Sequence, residues 1–300
     1  GDNPGNVQDV PSGLTDVVAI GAGSSHMLAL TASGELVAWG ANNNYQSTIP
    51  SSLVNADIVQ IAVGHDYNAV LTSDGNVTMF GHIPFYALSS ADWPDGVTEN
   101  PDVVYFDLDQ DVVKMDLGSS NLLVVLEDGT IDSFGWNGYG QRNGHPNGSN
   151  FIDVDGGSQH VCALTSDGNY SGWGRSDKQQ HNPPSEHQGS FVYVEAVSQF
   201  NLGITQDGEI VPWGQNGNFT RFDPPSDLAP AIALECDHYA LCSAVHYDGT
   251  VSVWGKNWED NSALTPPSDL IVRGWGSSDI PGCTDVNACN YDVAATSDDN

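Results

Sequence analysis

The sequence predicts an all-β protein built as a ring of small repeated sheets. Three observations carry that prediction. One ten-residue segment is written six times, the copies recur at a near-constant interval, and each is centred on a hairpin-type turn. The copies are TASGELVAWG (31–40), TSDGNVTMFG (72–81), LEDGTIDSFG (126–135), TSDGNYSGWG (165–174), TQDGEIVPWG (205–214) and HYDGTVSVWG (246–255). The turn glycines are Gly34, Gly75, Gly129, Gly168, Gly208 and Gly249, and they follow one another at 41, 54, 39, 40 and 41 residues. Five residues after each stands an aromatic: Trp39, Phe80, Phe134, Trp173, Trp213 and Trp254, each followed by Gly. A fixed period near 40 marks a repeat architecture.

One repeat can be read along VVAIGAGSSHMLALTASGELVAWG (17–40). VVAI is a short β-branched run broken by two glycines, HMLAL is a second apolar run, and ELVAW is a third beyond the turn. In five of the six copies that turn is Asp-Gly, the strongest short hairpin signal. The residue after the turn Gly is polar in every copy (Glu35, Asn76, Thr130, Asn169, Glu209, Thr250), and the next is apolar or aromatic (Leu36, Val77, Ile131, Tyr170, Ile210, Val251). That alternation predicts a strand with one buried face. The Gly behind the aromatic lets the chain leave the strand at a backbone angle other residues avoid. Pro-containing returns echo as well: VPSGL (10–14), IPSSL (49–53) and PPSDL (224–228 and 266–270). A three-stranded sheet cannot bury its faces alone, and radial stacking of several leaves only short, protected edges. The expected fold is therefore a β-propeller.

GSSHMLALTASGELVAWG (23–40) and GSQHVCALTSDGNYSGWG (157–174) share G-x-x-H-x-x-A-L-T-x-x-G-x-x-x-x-W-G, and WNGYGQ (136–141) follows the third aromatic-Gly pair. These residues resemble the RCC1-like repeat, and the resemblance runs over about residues 1–278. It implies a propeller, usually of seven blades. The His place departs from the pattern, reading His26, Tyr67, Asn121, His160, Phe200 and Leu241. A catalytic or metal-binding set would not vary so, which makes His26 and His160 structural hydrogen-bonding residues. The ends read as parts of one more repeat: residues 1–16 resemble the stretch after a W-G, and IVRGWGSS (271–278) resembles the opening strand VAIGAGSS. The expectation is six full blades closed by strands from the two termini, with seven blades as the alternative.

The interval of 54 comes from an insertion at 82–110, HIPFYALSSADWPDGVTENPDVVYFDLDQ with His82 first. Long excursions from a repeat scaffold are where binding often sits, which makes Phe85, Tyr86 and Trp93 candidate binding residues. Asp107, Asp109 and Asp111 fall at alternate positions and would share one face of a strand, read here as a solvated edge that discourages pairing. The tail at 279–300 is a separate linker or module. GCTDVNACNYDVAATSDDN (282–300) resembles short modules of surface and secreted proteins of marine bacteria and large marine phages, without the Gly-Ser-Cys continuation, as if cut from a longer chain. Asp285, Asp292, Asp298 and Asp299 there are candidate Ca²⁺ ligands, a solvated linker being the alternative. Cys236, Cys242, Cys283 and Cys289 form two Cys-x5-Cys pairs open to disulfides, whereas Cys162 reads as a small buried residue. The chain opens at Gly1 rather than Met, an expectation of processing, and holds four Asn-x-Ser/Thr sequons.

Charge bounds the function. Seven Lys and Arg face 39 Asp and Glu, a formal net charge of −32. Nucleic acid and anionic membrane surfaces would be repelled, and no apolar run approaches the ~20 residues of a membrane span. Nucleophile elbow, phosphate loop, zincin and paired-Cys motifs do not occur in usable context. The sequence thus predicts a non-enzymatic extracellular binding module without a cofactor, a virion-surface adhesin of phage tail or fibre type contacting protein or glycan. The alternatives are a secreted bacterial surface protein and a protein regulator or inhibitor, since RCC1-like propellers include exchange factors for small GTPases and an inhibitor of β-lactamase. A polysaccharide-cleaving enzyme would need a carboxylate pair that no sequence feature singles out.

Overall fold

The computed structural model describes residues 4–83, 103–106, 108–214, 223–236 and 241–255. They form six antiparallel sheets, the blades. Blade 1 is β1 (Val17–Ala22), β2 (His26–Thr31) and β3 (Leu36–Gly40). Blade 2 is β4 (Ile58–Val63), β5 (Tyr67–Thr72) and β6 (Val77–Gly81), with β7 (Val103–Phe106) as a fourth strand. Blade 3 is β8 (Val112–Leu117), β9 (Asn121–Leu126) and β10 (Ile131–Gly135), and blade 4 is β11 (Phe151–Gly156), β12 (His160–Thr165) and β13 (Tyr170–Gly174). Blade 5 is β14 (Phe191–Val197), β15 (Phe200–Thr205) and β16 (Ile210–Gly214), and blade 6 is β17 (Ala231–Cys236), β18 (Leu241–His246) and β19 (Val251–Gly255). The first strands touch in series, β1 to β4, β8, β11, β14 and β17, and so form the inner wall of the ring.

The core lies between blades rather than within them. Among the described residues, five apolar clusters occupy the five seams between successive blades. Strand alternation does this: Leu122 and Val124 of β9 pack toward blade 2, while Leu123 and Val125 pack toward blade 4. In β12, Val161 and Ala163 face blade 3, whereas Cys162 and Leu164 face blade 5. Middle strands therefore read as continuous apolar runs (NLLVVL, HVCALT), the signature of strands covered on both faces. Each fully buried Leu or Val contributes about 1.5–3 kcal/mol. Among the third strands only β10 alternates strictly between buried and half-buried residues; β3, β13, β16 and β19 bury the aromatic and alternate irregularly around it, and β6 is buried throughout, with β7 of the insertion paired beside it.

The repeat letters have local causes. All six turn glycines have φ between 76° and 83°, and all six glycines after the aromatic have φ between 86° and 116°, both left-handed. The Gly three residues before the His place is needed for space: a Cβ at Gly23 or Gly157 would meet the ring of His26 or His160, and one at Gly64 would meet Tyr67. His26 Nε2 lies 2.9 Å from Asn68 Oδ1 of the next blade, and His160 Nε2 lies 2.9 Å from Asn201 Oδ1. Tyr67 stands in the His place of blade 2 and donates to Gly118 O of blade 3 at 2.8 Å.

The tryptophans also latch backward. Trp173 Nε1 donates to Gln141 O and Trp213 Nε1 to Gln180 O, each a loop carbonyl of the preceding blade, at 2.7 and 2.9 Å. Trp39 Nε1 donates to Val7 O at 2.8 Å, so the N-terminal segment takes that place for blade 1.

Two substitutions test the seams. A Cβ at Gly156 would sit 2.4 Å from Gly118 Cα, backbone against backbone. Gly156→Ala is expected to destabilise by about 1–3 kcal/mol in urea unfolding, as overpacking does. Asn201→Ala strands the buried His160 Nε2, while the Gln180 carbonyl keeps its donors Trp213 Nε1 and Tyr170 Oη, and should cost about 1–3 kcal/mol in the same measurement.

Candidate functional site

The inner wall carries an acidic band that the repeat spacing creates. The fifth residue of the first strand is Gly21, Ala62, Asp116, Asp155, Glu195 and Glu235 in blades 1 to 6. Four consecutive blades thus place a carboxylate at one level. Two of them bridge to the next blade: Asp116 Oδ2 accepts from Gly156 N at 3.0 Å, and Glu195 Oε1 accepts from Cys236 N at 2.6 Å. Glu195 is only 5% exposed, and its second oxygen, Oε2, has no hydrogen-bond partner. Two residues earlier along the strand, Gln60 exchanges two hydrogen bonds with the backbone of Met115, and Lys114 Nζ lies 3.4 Å from Asp153 Oδ1.

These acids are hard to ionise. Burial, then the charges of Asp116, Glu195 and Glu235, hold the Asp155 carboxyl well above the usual range. Burial and Glu235 do the same to Glu195. Burial raises Asp116 and Asp153 as well. Solvent reaches Glu235, yet the protein packed around its carboxyl, together with Asp116, pushes it up to about 7. Acids of the hairpin turns behave oppositely, since hydroxyls of Thr72, Thr130, Thr165 and Thr250 hold Asp74, Asp128, Asp167 and Asp248 below the usual value. His160 is pushed down to about 4, chiefly by burial, so it stays neutral and serves as a structural bond.

At the other end of each first strand the register shifts by one residue in all six blades. Such a bulge turns the extra side chain out of the ladder. Val18, Val59, Val113, Ile152 and Val192 occupy that second position and are 50–62% exposed.

The loops after the third strands form a second surface. Buried Gln46, Gln141 and Gln180 brace them, each Oε1 accepting from the backbone N–H two residues earlier (Asn44, Tyr139, Lys178) at 2.8–2.9 Å. The residue before each Gln is left-handed: Tyr45, Gly140 and Gln179. Around the second of these loops, Trp136 meets the Tyr139 ring edge-on at 5.5 Å, and Arg175 Cζ lies 5.4 Å from the Tyr139 centroid. Asp177 takes Nε and Nη2 of Arg175 as a fork. Gly138 makes room, because a Cβ there would meet the Trp136 ring. Tyr139 remains 46% exposed.

Several sequence-predicted sites fall elsewhere. Phe85, Tyr86, Trp93, Asp107, Cys283, Cys289, Asp285, Asp292, Asp298 and Asp299, together with the expected closing strand at 271–278, lie outside the described residues. Cys236 and Cys242 pair across β17 and β18 as a disulfide, and Cys162 is free and buried. One expectation is corrected: Asp109 and Asp111 sit in the bend between β7 and β8, because β7 ends at Phe106, so they do not form a strand edge. The acidic wall was missed, although Asp116, Asp155, Glu195 and Glu235 recur at 39, 40 and 40 residues, the period of the hairpins themselves.

The raised carboxyls fix the sign of a pH effect. A folded value of about 7 against an ordinary 4.5 leaves Glu235 without penalty below pH ~4.5, and the penalty is complete above pH ~7. Glu235→Gln should therefore raise the melting temperature at pH 8 in chelated buffer, with the gain disappearing by pH 4.5.

Comparison with known proteins agrees with this architecture. The model of the regulator of chromosome condensation (RCC1) repeat matches residues 17–46 and 112–141. The human E3 ubiquitin-protein ligase HERC2 is 31% identical over 192 residues, 55% of this chain and 4% of that protein. The chain spans less than half the length of the curated relatives it matches. Among solved structures, Prp20p from Saccharomyces cerevisiae superposes with a TM-score of 0.67 at 16% identity, covering 87% of this chain and 77% of that one. The ectodomain of the Arabidopsis thaliana receptor kinase ACR4 gives 0.64 at 18% identity, covering 80% of each. The chain is an all-β propeller in which residues 17–46 and 112–141 match the RCC1 repeat.

Proposed function

We propose that the protein is a non-enzymatic binding module that recognises a protein through its loop face. The carrying observation is the cluster of Trp136 and Tyr139, on the loop braced by Gln141, with Arg175 from the neighbouring loop of blade 4. Tyr, Trp and Arg are the residues that dominate binding hot spots, and a pre-braced loop pays little ordering entropy on association. Here the aromatic ring is exposed while its neighbours hold its orientation.

The finer reading is an adhesin on a virion surface, of phage tail or fibre type, or on a secreted bacterial surface protein, meeting a protein or glycan receptor. It is supported by the net charge of −32 and by the resemblance of residues 282–300 to marine surface modules. A propeller of the same fold stands outside the cell as the ACR4 ectodomain. A second reading, a regulator that contacts a soluble protein, is favoured by Prp20p, which binds Gsp1p and histones.

A photo-crosslinking residue at position 139 of the full chain, followed by mass spectrometry, would identify the partner and separate the two readings by its class. Tyr139→Ala and Arg175→Ala should then each weaken binding by about tenfold, ~1.4 kcal/mol, while Tyr105→Ser on the edge of blade 2 leaves it unchanged. Unchanged affinity in the first two variants would count against the loop face.

A further inference from the structure

We propose that the acidic inner wall binds a hydrated divalent metal cation, Ca²⁺ or Mg²⁺, held among Asp116, Asp155, Glu195 and Glu235. Four consecutive blades bring these carboxylates to one level of the wall. The neighbouring positive charge is already committed, as Lys114 lies against Asp153. Backbone N–H groups of Gly156 and Cys236 satisfy one oxygen of Asp116 and one of Glu195. Glu195 Oε2 is left buried without a partner. A buried polar atom without a partner calls for an explanation, an ion among them. A water could donate to that oxygen, but a proton or a cation also relieves the repulsion among the neighbouring carboxylates.

The chemistry of the donors selects the cation. All are hard carboxylate oxygens, with no thiolate or imidazole at that level, which suits Ca²⁺ and Mg²⁺ rather than softer metals. Among the described residues, no three such groups converge closely enough to ligate a bare ion. The ion therefore keeps part of its water shell and reaches the outer carboxylates through it, as Mg²⁺ commonly does. Bound there, it ties blades 3 to 6 together at their first strands.

Protons compete for the same oxygens. The groups that face the site are Lys114 and Asp116 of β8, Asp153 and Asp155 of β11, Tyr193 and Glu195 of β14, and Glu235 of β17, with the Cys162 thiol of β12 behind. A carboxylate holds a cation only when deprotonated, so binding weakens as pH falls.

The test uses the full chain, freed of metal by chelation, followed by thermal unfolding and isothermal titration with CaCl₂ and MgCl₂ at pH 8 and pH 5. Sodium chloride at equal ionic strength is the control. The expected result is a rise in melting temperature beyond the sodium control at pH 8, lost at pH 5, with affinity at least tenfold weaker in Glu195→Gln and in Asp155→Asn. Glu235→Gln, at a position open to solvent, serves if either variant fails to fold. A shift equalled by sodium chloride shows general screening and overturns the proposal. A shift that survives these substitutions places the ion elsewhere, as in the aspartate-rich tail, and overturns it equally.

Discussion

Each blade of this protein is completed by atoms of its neighbour, and everything else depends on that constraint. A three-stranded sheet with an apolar middle strand has two faces to cover and no means of covering either. Blade 4 shows the solution: Val161 and Ala163 are covered from blade 3, Cys162 and Leu164 from blade 5. Polar latches then set the angle between blades. Trp173 reaches back to Gln141, and His160 reaches forward to Asn201. Burial supplies the bulk of the seam energy, while the buried hydrogen bonds penalise any seam that slips and leaves them unmade.

The same geometry explains why one strong negative charge is tolerated in two ways. Acids in the hairpin turns are solvated and hydrogen-bonded by neighbouring hydroxyls, which favours the ionised form. Acids at the fifth position of the first strands are brought together as the ring forms, which disfavours it. Stacking identical strand positions side by side converts a residue spaced by one repeat into a close neighbour. A charge repeated at that spacing accumulates, as Asp155 and Glu195 do; a charge repeated in the turns remains dispersed in solvent.

The loop face follows a related rule. Gln46, Gln141 and Gln180 bury their side chains to brace three loops of similar backbone and different surface. The scaffold is thereby held constant while the tips vary, from Asn44 to Tyr139 to Lys178. Fold and binding chemistry are separable in such a design, which is why fold likeness alone does not carry a partner with it.

Sequence by itself determined the strand type, the six hairpin turns and the aromatic-Gly boundaries of the described blades, because each of these is local. Asp-Gly with φ near 76° at Gly129 needs no distant contact to be recognised. The space under His26 was also legible as G-x-x-H, though its partner Asn68 was not. Only the tertiary structure decided that β7 would join blade 2, that Asp109 and Asp111 would lie in a bend and not along a strand edge, and that four acids 39 or 40 residues apart would share one wall. The physical reason is that desolvation and like-charge repulsion depend on distances across the ring, and chain order carries no such distance until the blades stack.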